Sequence, residues 1–84
     1  MKTTIRQRIM LDAFAIEHPD DWIDYREFSR MFPEMHRKHT TLMSLVRRGC
    51  IRYKWVYFDV FANVQDPLVV SHRVFQLTPL GYYT

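Results

Sequence analysis

Six Lys or Arg residues and no Asp or Glu stand between positions 35 and 58: Arg37, Lys38, Arg47, Arg48, Arg52 and Lys54, with His36 and His39 beside them. The flanks run the other way. Residues 1–34 carry five basic against seven acidic side chains and residues 59–84 one against two, so the net charge of +3 comes from one block. Phosphates are a natural counterpart of such a surface, because each cation that neutralises one releases a condensed counterion. A solvated face has the same composition, and so mild a net charge names no partner by itself.

Other chemistry is poorly supplied. His36 and His39 are three apart on a helical pattern, but no carboxylate or cysteine nearby completes a tetrahedral metal set with them or with His18 and His72. Asp20, Asp21 and Asp24 suit turn and cap positions, no Gly-rich phosphate loop is present, and Cys50 falls at the negative pole of a helix, which disfavours a reactive thiolate. The expectation is no enzyme, no cofactor and no metal.

The chain has 84 residues, 48% hydrophobic and 15% aromatic, with only 2 Gly and 4 Pro, which is a folding composition and suits one domain over residues 1–84. No apolar run approaches the roughly 18–20 residues that cross a bilayer, and the start of the chain lacks the charged-then-apolar pattern of a signal peptide. With one cysteine there is no internal disulfide. A cytoplasmic protein without a membrane partner is expected.

The elements that must position the cations follow from spacing. Ile5, Ile9, Ala13 and Ile16, widened by Met10 and Phe14, predict a helix over 4–17 that ends at His18-Pro19-Asp20-Asp21. Residues 22–24 are a short extended piece. Asp24 then caps a helix over 25–32, with Glu27 completing a capping-box-like pattern, Phe28 and either Met31 or Phe32 inward, and Pro33 closing it. A third helix spans 35–48, with Met35, Leu42, Leu45 and Val46 on its core side and Arg37, Thr40, Ser44 and Arg47 opposite; Gly49 stops it as a left-handed C-cap residue. Lys38 falls toward the core side, so either the helix begins after it or its stem runs along the edge. β-branched and aromatic residues over 50–61 and 68–77, with a turn at 62–67, predict a hairpin, and Thr78-Pro79-Leu80-Gly81 breaks the second strand. Trp22, Phe28, Met35 and Phe75 are core candidates.

Helix, short strand, helix, helix and hairpin is the order of a winged helix-turn-helix domain. Residues 40–51, where a helix ends at Gly49 before Ile51 opens a strand, and Phe75-Gln76-Leu77-Thr78-Pro79-Leu80-Gly81, which closes the second strand, are similar to bacterial winged-helix regulators of the MarR and PadR kind. The resemblance covers nearly the whole chain and implies an α+β fold of three helices followed by a β-hairpin wing. Two features depart from it. Such regulators carry further helices for dimerisation, and here Asn63, Gln65 and Asp66 leave the wing tip without positive charge.

The resemblance implies double-stranded DNA as partner, in transcriptional regulation or an accessory role of bacterial or phage type. The 35–48 helix would lie in the major groove. His36, Arg37, Thr40, Thr41 and Ser44 would then meet base edges, Arg47 and Arg48 the backbone, and Arg52 and Lys54 phosphates from the first wing strand. One side of the wing is apolar, through Val56, Phe58, Val60, Val70 and Val74, and requires a covering surface: a second copy of the chain or another protein. The alternative function is therefore a winged-helix protein-interaction module, an inhibitor or adaptor docking through that wing.

Overall fold

The computed structural model describes residues 2–59 and 69–84. It has an α+β architecture: α1 (Ile5–Glu17), β1 (Ile23–Asp24), α2 (Tyr25–Met31), α3 (Lys38–Arg47), β2 (Ile51–Asp59), β3 (Val69–Leu77) and a short α4 (Pro79–Tyr82). The three strands form one antiparallel sheet in the order β1-β3-β2.

α1 begins at a complete capping box: Thr4 Oγ1 accepts from the Gln7 amide at 3.1 Å and the Thr4 amide donates to Gln7 Oε1 at 2.9 Å. Its inward face is Gln7, Met10, Leu11 and Phe14. The expected core stripe is corrected: Ile5, Ile9 and Ile16 are 81%, 49% and 81% exposed, and only Ala13 of that row packs against the core. The helix carries two apolar stripes, and the one bearing Phe14 wins because that ring meets Phe28, their centroids 6.2 Å apart.

α2 starts as its cap residue dictates, the Glu27 amide donating to Asp24 Oδ1 at 2.8 Å. The reciprocal half of the box is absent, since the Glu27 carboxylate turns to His18 and Arg30, each at 3.6 Å. Phe32 fills the inward position, with Met31 half-buried beside it.

α3 starts at Lys38, three residues later than the spacing suggests, and Arg37 before it is left-handed with φ 56°. Lys38 is therefore the first helical residue, its Nζ donating to the Ser29 carbonyl at 3.5 Å. The far end follows expectation: Gly49 has φ 78°, its amide donates to Val46 O and the Cys50 amide to Leu45 O, both at 3.0 Å, which is a Schellman closure.

Ile51 pairs with Leu77, Tyr53 with Phe75 and Lys54 with Val74, while Ile23 of β1 joins the other edge of β3 opposite Phe75. By strand alternation the inner sheet face carries Ile23, Ile51, Phe75 and Leu77, all buried, and the outer face carries Arg52, Lys54, Val74 and Gln76. Met10, Leu11, Phe14, Phe28, Leu42 and Leu45 close the core from the helical side.

Beyond the strand break lies α4, which spacing did not suggest. Thr78 caps it: its Oγ1 accepts from the Gly81 amide at 3.1 Å and donates to Gly49 O at 2.6 Å, while the Thr78 amide donates to Cys50 O at 3.1 Å. Pro79 occupies the first helical position, where its missing N–H costs nothing. Gly81 lies so close to the Cys50 carbonyl that an added Cβ would stand 2.1 Å from its oxygen. The Leu-Thr-Pro-Leu-Gly run thus fastens the end of the sheet to the end of α3. Among the described residues no helix is long and apolar enough to cross a membrane.

Candidate functional site

The basic block divides between two surfaces. α3 presents the first. Thr40, Met43 and Arg47 follow one another at helical spacing along the side away from Leu42 and Leu45; Thr40 and Arg47 are exposed and Met43 half-buried. Arg37 is exposed at the helix entrance, and His36 is exposed in the turn before it, so neither belongs to the helix proper. α3 has no side-chain cap and no acidic residue in its first turn, which leaves its amino pole uncompensated beside Arg37.

Two residues expected on this side are corrected. Thr41 is 8% exposed, and its hydroxyl donates to the Arg37 carbonyl at 3.1 Å. Ser44 is half-buried; its Oγ donates to Thr41 O at 2.6 Å and accepts from Gln7 Nε2 at 3.0 Å. α3 turns this side toward α1, where Gln7 gives the Ser44 hydroxyl a polar partner and Thr41 is satisfied by its own helix. Gln7 also accepts from Arg48 Nη1 at 3.2 Å, and the same Nη1 donates to Lys2 O at 2.6 Å. Arg48 therefore braces α1 against α3 while keeping part of its surface in solvent. The Thr4-x-x-Gln7 capping pattern was the signal that marks this junction in the sequence.

Arg52 and Lys54 form the second surface, on the outer face of the sheet. Trp22, expected in the core, lies there instead, half-buried, with Arg52 Cζ 5.0 Å and Lys54 Nζ 4.4 Å from its ring centroid. Arg52 Nε also donates to Gln76 Oε1 at 2.7 Å, and Gln76 Nε2 donates to Asp20 O at 2.6 Å. The sheet itself separates these two cations from the outward side of α3.

The apolar hairpin surface needs one correction as well. Val74, expected to meet a partner, is 8% exposed, set between Asp24 and Lys54 in the pairing. Val56 on the same face is half-buried; Val60 and the side chains of Phe58 and Val70 lie outside the described residues, as does the turn at 62–67. The exposed aromatic surface belongs to the other alternation, Tyr53 at 44% and Trp55 at 49%. Arg73 stacks there, its Cζ 5.5 Å from the Trp55 centroid and 5.7 Å from that of Tyr53.

The ion pairs sharpen the contrast. Among the described residues the four within 4.0 Å are Arg8–Asp12, His18–Asp21, His18–Glu27 and Arg30–Glu27. None involves α3, Arg37, Arg48, Arg52 or Lys54. No group of three His, Cys, Asp or Glu able to hold a metal occurs among the described residues. Comparison with protein-family models, curated proteins and solved structures finds no match to this chain.

Proposed function

We propose that this chain is a small winged-helix protein that binds double-stranded DNA, in transcriptional regulation or an accessory role of bacterial or phage type, with α3 in the major groove. The element order and the β1-β3-β2 sheet support the winged-helix reading. The observation that carries the function is the set of cations around α3 without a carboxylate partner among the described residues: Arg37 and Arg47 are exposed, and the ion pairs lie elsewhere. Like charges gathered without counter-charges repel one another, and an external polyanion removes that cost. Arg47 can hold a backbone phosphate, Thr40 can hydrogen-bond a base, and Met43 offers apolar contact to a thymine methyl. The uncapped start of α3 and Arg37 suit a phosphate.

The test is binding to mixed-sequence duplex DNA between 50 and 200 mM salt. Three to four phosphate contacts give a log–log slope of about −3 to −4, and Arg37→Ala with Arg47→Ala reduces its magnitude by about 2. The thermal midpoint should hardly move, since both side chains are exposed. Binding that ignores salt, or a double variant that binds as tightly as the parent, overturns the reading. The competing reading, a protein-interaction module docking through the wing, draws on exposed Tyr53 and Trp55. A chain that leaves duplex DNA unbound even at 50 mM salt favours it.

A further inference from the structure

The outward side of α1 is left uncovered by the described residues. Ile5, Ile9 and Ile16 are 81%, 49% and 81% exposed, and with Asp12 they form a line spaced 4, 3 and 4 residues apart, opposite the buried Gln7, Met10 and Phe14. That spacing is the seam of paired helices. Three isoleucines held in water along one line leave apolar area that a soluble helix ordinarily keeps polar.

The charges along α1 are ordered against its own dipole. The first turn has no acidic residue and the last turn no basic one; Arg6 and Arg8 lie toward the amino end, Asp12 and Glu17 toward the carboxyl end. Within a lone helix this arrangement is unfavourable. In an antiparallel pair of identical helices it becomes complementary, because each basic half lies along an acidic half.

We infer that a second copy of this chain docks on the Ile5-Ile9-Asp12-Ile16 line, with the two α1 helices antiparallel about a two-fold axis. Placing Ile5 opposite Ile16 of the second copy sets that axis between residues 10 and 11. Arg6 and Glu17 share one flank of the line, Arg8 lies on the other with Asp12 on the line beside it, and in an antiparallel pair each flank faces its own equivalent. Arg6 then meets Glu17 of the second copy. Arg8 meets Asp12 of the second copy, joining two Arg8–Asp12 pairs, each already at 3.2 Å, into a four-charge cluster. A parallel pair would face each flank with the other and set Arg6 against Arg8 of the second copy, like charge against like.

The contact is small. A helix of 13 residues is about 20 Å long, so the area lies at the low end for specific interfaces and fits a dissociation constant on the order of 10–100 µM. The inference does not rest on DNA binding, and its test contains no DNA.

Sedimentation equilibrium of the whole chain, from about 10 µM to 1 mM at 0.1 M salt, spans that range. The 10.3 kDa chain should approach twice its mass at the upper end. Ile9→Lys and, at the more exposed position, Ile16→Lys should stay monomeric with unchanged circular dichroism. Arg6→Glu and Glu17→Arg should each weaken the dimer about tenfold, and the two together should return it to within about threefold of the parent. A parent chain monomeric at 1 mM, or an Ile9→Lys chain as dimeric as the parent, overturns the inference. A charge-swapped double variant no tighter than its single variants overturns the antiparallel pairing.

Discussion

Arg37 separates a binding effect from a folding effect within one residue. Its φ of 56° holds an L side chain in left-handed backbone, at a cost of about 1–2 kcal/mol. The conformation is kept because its carbonyl accepts from both the amide and the hydroxyl of Thr41, at 3.0 and 3.1 Å, which closes the first turn of α3. Arg37→Gly removes the steric cost but adds about 0.4–1 kcal/mol of unfolded-state entropy, leaving a net gain of about 0.5–1 kcal/mol. In a domain of this size that raises the midpoint by about 2–8 °C. Arg37→Ala keeps the strain and should alter stability by less than about 0.5 kcal/mol. Both variants lose the same cation, so both should reduce the magnitude of the salt slope by about 0.9 and weaken duplex binding about fivefold to tenfold. Urea unfolding followed by circular dichroism, with fluorescence anisotropy on a labelled duplex, measures the two effects. A glycine variant with a lower midpoint would refute the strain argument, and a parental salt slope in either variant would refute the phosphate contact.

Gly81→Ala should cost about 2–4 kcal/mol, seen in urea unfolding, because its Cβ would lie 2.1 Å from Cys50 O and 2.9 Å from Leu77 Cδ1, and backbone must move; a loss under about 1 kcal/mol would mean that α4 does not seal the end of the sheet. Gln7→Ala should cost about 2 kcal/mol by removing bonds to Thr4, Ser44 and Arg48, and a double-mutant cycle with Ser44→Ala should show a coupling of about 0.5–1.5 kcal/mol. Additive effects at those two positions would show that the α1–α3 junction is held by its apolar contacts alone.

What the sequence determined by itself is what acts over a few residues. Asp24 starts α2, and Gly49 ends α3 because its φ of 78° suits a residue without a side chain. β-branched and aromatic runs set β2 and β3, and the acid-free stretch around α3 is legible from composition alone. Tertiary structure decided every choice between rival partners. α1 has two apolar stripes of similar periodicity, and which one is buried depended on Phe28 and α3, far away in the chain. Thr41 and Ser44 look like surface hydroxyls until the Arg37 carbonyl takes up the first and the Gln7 amide meets the second across the helix interface. Trp22 left the core for the outer sheet face because Arg52 and Lys54, two and four positions into the strand pairing, offered it cations to stack against. α4 arose from the Cys50 carbonyl and the Gly49 turn, which give Thr78 and Gly81 their anchorage. Local signals set backbone dihedrals because their cause lies within a turn or two; the facing of a helix and the use of a polar side chain follow from complementary surfaces that only the folded chain brings together.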